Sequence, residues 1–235
     1  MRDRPPRRGA ASLRLAVAAL ALLAGAAWPG PAAGQGIVVP HEQAFPAEGE
    51  ASAATLDVPL ADLLRRAGVR PDDGVRIEIH KARRRLDLLV GGRLVKSYLV
   101  NLGLAPEGDK VRQGDRRTPE GEMFVCARNA RSRFHRFLAL AWPRPDAAAR
   151  ARAAGILGAR AQAAIADAHR RRDRCPPQET PLGGAVGIHG SAVWRTVPGG
   201  FELVDWTWGC VAVRDADVEE LFGVVRVGTP VSIRP

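Results

Sequence analysis

The sequence predicts a mainly β fold with flanking helices, its strands mostly antiparallel. Val75-Arg76-Ile77-Glu78-Ile79-His80 alternates apolar with polar residues, as does Leu86-Asp87-Leu88, and that period belongs to half-buried strands. Gly91-Gly92 between strand-like runs is a two-residue hairpin signal, with Arg93 to Leu102 as the returning strand. Strand-like runs recur to the C-terminus and outnumber helical ones.

The 235 residues suit one domain with an N-terminal extension. Met1 to Arg14 carries five arginines and one aspartate, and Leu15 to Trp28 is an apolar run of 14, short for a bilayer span. Residues 1–34 therefore read as a secretory signal peptide, with Ala32 and Gly34 favouring cleavage before Gln35 and Ala24 and Ala26 marking an earlier site. An uncleaved signal anchor is the alternative. The leader contains no cysteine, which excludes a lipoprotein signal, and the surroundings of Arg7-Arg8 fit twin-arginine export poorly. Residues 35–70 read as a linker with one short helix, Pro59 to Ala67, whose Leu60, Leu63 and Leu64 form a narrow apolar stripe. Residues 71–235 form the main domain.

Within it, His80 ends the first strand as an exposed residue. Thr118-Pro119-Glu120-Gly121 reads as a tight turn, with proline presetting φ at the second position and glycine favoured at the fourth. Met123 to Ala127 and Phe137 to Trp142 are strands around a polar, arginine-rich loop that contains His135. Asp146 to Asp173 is Ala- and Arg-rich and helical, with Asp146 as N-cap and Gly155 and Gly158 as breaks between two helices. Ala185 to His189 is a short strand, and Trp194 to Leu203 a hairpin around Pro198-Gly199-Gly200. Asp215 caps a helix whose Val218, Leu221, Phe222 and Val225 fall at i, i+3, i+4 and i+7, and Gly228-Thr229-Pro230 turns into a last strand, Val231 to Ile233.

The formal charge is +10, and about +6 once five arginines and one aspartate of the leader are removed (10 − 5 + 1). A basic exported chain meets cell-wall polymer or lipid surface as its nearest polyanion, rather than nucleic acid. Arginine outnumbers lysine 32 to 3, which reflects genomic composition as readily as recognition. Of the three cysteines, Cys126 and Cys175 either pair in an oxidising compartment or stay free, leaving Cys210 as the odd one. No C-x-x-C or H-x-x-x-H spacing occurs, so neither a metal nor a cofactor is expected.

The chemistry gathers in two stretches, Gly187-Ile188-His189-Gly190 and Asp205-Trp206-Thr207-Trp208-Gly209-Cys210-Val211-Ala212-Val213, with His189 21 positions before Cys210. Gly209 lets another backbone or a substrate approach the sulfur, and the following apolar run is a strand, so the thiol sits at a strand edge. A nucleophilic cysteine needs a base or a positive neighbour, and His189, at the end of another apolar strand, supplies one. A cysteine before Val-Ala-Val equally suits an inert buried site. His135 is the rival base.

These stretches, with Gly114-Asp115-Arg116-Arg117-Thr118-Pro119-Glu120-Gly121 before them, resemble the L,D-transpeptidase catalytic (YkuD-type) domain over Val75 to Ile233, in the branch whose cysteine motif reads Asp-Trp-Thr-x-Gly-Cys. The resemblance implies a β-sandwich or barrel-like catalytic domain over 71–235, with Cys210 and His189 catalytic. It implies Gly209 and Cys210 N–H groups in an oxyanion hole, Gly190, Thr207 and Trp208 around the site, and Arg116 and Arg117 facing substrate carboxylates. It further implies acyl transfer through a thioester, from a peptidoglycan stem peptide cut after the L-centre of its diaminopimelate-type residue. An amine acceptor makes a transpeptidase, and water makes an L,D-carboxypeptidase or amidase. A secreted wall-binding domain without turnover is the reading from another class, and a papain-like peptidase fails because its cysteine precedes its histidine. The expected setting is periplasm or cell wall, with peptidoglycan as partner, no nucleic acid, and no membrane span once the leader is cleaved.

The sequence departs from the commoner family pattern at Trp208, where many relatives carry histidine, and at Ala212, where many carry arginine or asparagine. The 194–203 hairpin lengthens the His-to-Cys spacing, and the helical insert before His189 is a candidate lid. A Cys210–His189 ion pair would hold the thiolate below the free-thiol value of about 8.5.

Overall fold

The computed structural model describes residues 36–45 and 53–235; the expected leader lies outside them. In chain order the elements are β1 (Ile37–Pro40), α1 (His41–Ala44), α2 (Leu60–Ala67), β2 (Val75–His80), β3 (Arg85–Val90), β4 (Arg93–Leu99), β5 (Gly121–Ser132), β6 (His135–Leu140), α3 (Pro145–Ala153), α4 (Ala159–Arg171), β7 (Gly187–His189), β8 (Trp194–Val197), β9 (Gly200–Leu203), β10 (Val211–Ala212), α5 (Asp215–Val224) and β11 (Pro230–Arg234). Among the described residues, no helix is long and apolar enough to cross a membrane.

Eight strands form one sheet in the order β10-β7-β6-β5-β11-β2-β3-β4. The pairs β10–β7 and β11–β2 are parallel and the others antiparallel. The sheet curls until its two ends meet: Asn101, just past β4, exchanges 2.9 Å backbone hydrogen bonds in both directions with Ala212 of β10. Such closure pairs edge groups that would otherwise face solvent, and makes the architecture barrel-like. Ile77, Ile79, Leu86, Leu88, Tyr98, Leu138, Leu140, Ile188 and Val231 fill the interior with almost no exposure.

The segment expected as linker contributes structure of its own. β1 pairs antiparallel with β9, whose other neighbour is β8, in a separate three-stranded sheet. Val39, Ala44, Phe45, Leu56, Leu99, Phe201 and Leu203 form a second apolar cluster between this sheet and β4. That layer explains two departures from the alternation rule. Asp87, on the polar face of β3, is buried, accepting hydrogen bonds from Ser97 Oγ at 2.5 Å and Arg85 at 2.9 Å, and Arg85 in turn donates to the Ala44 carbonyl. His80, expected to be exposed, is largely covered and lies 3.2 Å from Asp87.

Several local readings also shift. β5 and β6 extend through the expected loop, joined by a turn at 133–134. Thr118–Gly121 runs on without a turn because Thr118 Oγ1 accepts the Gly103 N–H at 3.0 Å, tying the segment to a neighbouring strand end; the turn lies at 113–114 instead. Asp146 and Asp215 are inside their helices rather than capping them, the N-caps being Arg144 and Arg214. Asp146 pairs with Arg150 one turn on, a favourable place for a carboxylate near a helix N-terminus. The break at 154–158 separates α3 from α4 as expected.

The insert is no hinged lid. Ala147, Ala148, Ala151, Leu157 and Ile165 belong to the main core, and a disulfide joins Cys175, just past α4, to Cys126 of β5.

Candidate active site

Cys210 and His189 lie on neighbouring segments at the end of the curled sheet where it closes. The parallel register places Val211 beside Ile188 and Ala212 beside His189, so one step back sets Cys210 opposite Gly187. The sulfur fits that position, since the Gly187 N–H donates to it. Residues two apart on a strand share a face, so Cys210 and His189 are diagonal neighbours whose Cα atoms lie about 8 Å apart by strand geometry, within joint reach of the two side chains.

The nucleophile loop is held by one hydroxyl. Thr207 Oγ1 accepts the Gly209 N–H at 3.1 Å and donates to the Cys210 carbonyl at 2.7 Å. The Gly209 N–H, expected in an oxyanion hole, is engaged by Thr207. Gly209 has φ +123°, and a Cβ there would lie 2.6 Å from the Arg117 carbonyl, so both backbone shape and close approach require glycine. Gly190 is equally confined, since a Cβ would meet Asp215 Oδ1 at 2.2 Å. Asp205, buried beneath the loop, accepts the Leu102 N–H at 2.7 Å and pairs with Arg84.

His189 is only 1% exposed. Its Nδ1 lies 2.6 Å from the Gly190 carbonyl, which can only accept, so Nδ1 carries the proton and Nε2 holds a lone pair. Phe134 stacks on the ring at 4.5 Å, Phe137 lies parallel at 6.1 Å, and Trp206 meets it edge-on at 5.8 Å. Trp206 Nε1 is buried with no hydrogen-bond partner among the described residues. Burial lowers the His189 pKa, against the Gly190 hydrogen bond and the Asp215 charge that raise it.

The expected resting ion pair is not what this environment favours. Cys210 is half-buried, its sulfur 3.5 Å from the Ala185 carbonyl, and burial pushes the thiol up to about 11 despite the Gly187 N–H and the Lys110 charge. Burial thus works against charge on either group, raising the thiol and lowering the imidazole.

The other expected site residues divide. Trp208 is 59% exposed beside the nucleophile, and the Arg116 guanidinium lies 5.8 Å over its ring. Arg117 turns away, its guanidinium 3.4 Å from the Asp109 carbonyl, and meets the loop through its backbone. His135 has its Nε2 2.7 Å from Glu219, a carboxylate shared with Arg136. Sequence reasoning gave no role to Phe134, Asp115 or Lys110. The signal for the last was its rarity: all three lysines of this arginine-rich chain are buried.

The family model of the L,D-transpeptidase catalytic domain, YkuD, matches residues 74–233, which hold both motifs. The chain belongs to this family. A search of curated proteins finds no match. Solved structures similar to this L,D-transpeptidase domain include an L,D-transpeptidase (residues 123–326) from Xylanimonas cellulosilytica, at 18% identity over 75% of this chain and 70% of that one, with TM-score 0.36. An L,D-transpeptidase from Mycobacterium smegmatis is 12% identical over 68% of this chain and 58% of that one, with TM-score 0.39. The K307A mutant of the helical cell shape determining protein Pgp2 from Campylobacter jejuni is 19% identical over 74% of this chain and 54% of that one, with TM-score 0.43. This chain therefore spans little more than half the length of the last two. The family acts on peptidoglycan, and its L,D-transpeptidase domain here is the mainly β, curled-sheet fold described above.

Proposed function

We propose that this chain is an exported cysteine acyltransferase that acts on peptidoglycan stem peptides in the periplasm or cell wall, with Cys210 as nucleophile and His189 as base. The observation that carries the reading is the diagonal placement of Cys210 and His189 across β7 and β10, with the Gly190 carbonyl fixing the tautomer that leaves Nε2 basic. As Sγ attacks the donor carbonyl, its proton passes to Nε2, and the resulting imidazolium returns that proton to the departing amine. A thioester remains on Cys210. The tetrahedral oxyanion develops within reach of the Cys210 N–H; one such donor typically contributes about 10²–10³ in rate. An acceptor amine then releases a cross-linked or attached product, and water releases a trimmed peptide.

Export rests on the leader pattern of residues 1–34. The deciding experiment is incubation of the purified mature chain with defined muropeptides, read by mass spectrometry. Cross-linked dimers are expected for the transferase, and a monomer shortened by its terminal residue would assign water as the acceptor. Unchanged muropeptides would overturn the reading in favour of a wall-binding domain.

A further inference from the structure

One buried cation touches the nucleophile loop and belongs to none of the motifs. Lys110 is 3% exposed, and its Nζ donates to Asp115 Oδ1 at 2.7 Å and to the Arg112 carbonyl at 3.1 Å. The same Nζ lies 3.9 Å from where a Cβ on Gly209 would stand, one residue before Cys210. Two of the three ammonium hydrogens thus have acceptors inside the 110–115 turn, while the charge itself abuts the nucleophile loop.

The turn is built to keep the ammonium there. Asp115 accepts the Val111 and Arg112 N–H groups with Oδ2, and the Arg117 N–H and Lys110 with Oδ1. The Arg117 carbonyl then packs against Gly209, so turn and nucleophile loop form one contact. A lysine suits this place better than arginine, because a compact ammonium on a flexible stem fits where a planar fork would not.

We propose that Lys110 is a positioning residue for the reaction, a fixed positive charge that favours the thiolate of Cys210 as its proton leaves. The inference deepens the proposed function and rests on Cys210 as its nucleophile. Of the charged groups near this loop, Lys110 from the 110–115 turn acts on the sulfur, Arg116 lies over the neighbouring Trp208, His189 stands on the adjacent strand β7, and Asp115 partly offsets Lys110. Among them Lys110 is the buried cation, and burial makes its field count, since little solvent screens it. Burial raises the thiol and Lys110 opposes that rise, in agreement with the geometry.

The test uses the intact mature chain and no substrate, so it stands apart from the muropeptide assay. Iodoacetamide alkylates Cys210 as an Sγ–C bond forms, iodide leaves and the thiol proton passes to solvent. Below the thiol midpoint the rate tracks the thiolate fraction. Lys110→Met is expected to slow Cys210 alkylation about tenfold at pH 8, the effect of one pKa unit, and to shift the rate-versus-pH curve alkaline. Asp115→Asn, which removes the offsetting negative charge, is expected to match or exceed the wild-type rate. If Lys110 only shaped the loop, its loss would expose the sulfur and quicken alkylation, with an ordinary thiol midpoint. A Lys110→Met rate equal to or above wild type overturns the proposal, as does equal slowing by both variants, which would trace the effect to the turn instead of the charge. If Cys210→Ala retained turnover, the proposed function would fall while these labelling rates stayed interpretable.

Discussion

Phe134 lies against the imidazole of His189, ring centroids 4.5 Å apart and planes 23° from parallel. It caps a ring already covered by Phe137 and Trp206, and this burial is what lowers the His189 pKa. Phe134→Ala should return that pKa toward about 6.5, the unperturbed value. The acid limb of kcat/KM would then move to higher pH, because less of the base is neutral at a given acid pH. The sign for stability follows from the same shift. With the folded pKa below the unfolded one, the unfolded chain binds the proton more readily, so this group's contribution is complete above about 6.5 and is lost as pH falls through the folded value. Urea midpoints of wild type and Phe134→Ala between pH 5 and 7.5 measure it, with the variant showing less loss on acidification.

The two histidines should separate cleanly in turnover. His189→Ala removes the base and is expected to lower kcat by about 10²–10⁴. His135→Ala removes a half-exposed partner of Glu219 and should leave kcat within about threefold and cost at most about 1 kcal/mol. Single-turnover acylation on muropeptides reads both, and comparable losses would mean the base is His135 or neither.

Cys210→Ala should abolish turnover while the melting temperature stays within a few degrees, since a small side chain at a half-buried edge leaves little cavity. Full turnover by this variant would remove the nucleophile assignment.

Thr207→Val keeps the volume and deletes the hydroxyl that bridges Gly209 and Cys210. The orphaned Gly209 N–H and Cys210 carbonyl should cost about 1–3 kcal/mol. A freed Gly209 N–H also lets the loop move, so kcat should drop further than KM rises. Denaturant unfolding and steady-state kinetics check the two halves, and a variant that is stable and fully active would show that the bridge is dispensable.

The Cys126–Cys175 disulfide closes a long loop, its ends 49 positions apart, that contains the whole helical insert. Chain-entropy arguments put the stabilisation of such a loop at about 4 kcal/mol. Dithiothreitol should therefore lower the melting temperature of the mature chain, and the Cys126→Ser, Cys175→Ser double variant should melt at the reduced wild type's temperature, unaffected by reductant. An unchanged melting curve on verified reduction would contradict it.

How much was legible follows a physical line. The β3–β4 hairpin, the two-helix insert, the 194–203 hairpin and α5 were readable because periodicity, glycine pairs and helix breaks act over a few residues. Asp87 and His80 were misread because alternation marks a face, not what covers it, and the covering layer comes from β1 and α1, some 40 residues away. Thr118–Gly121 has turn chemistry, but its hydroxyl serves Gly103, across a contact no local rule contains.

The sequence by itself determined the mainly β class, most of the elements from Val75 onward and the two stretches holding Cys210 and His189, because each is written in neighbouring residues. Tertiary structure decided the rest. It paired β7 with β10, bringing the two stretches together, closed the sheet through Asn101 and Ala212, and buried His189. It joined Cys126 to Cys175 and set the Lys110 ammonium against Gly209. These depend on distance and dielectric between segments remote in the chain, and only the folded arrangement fixes either.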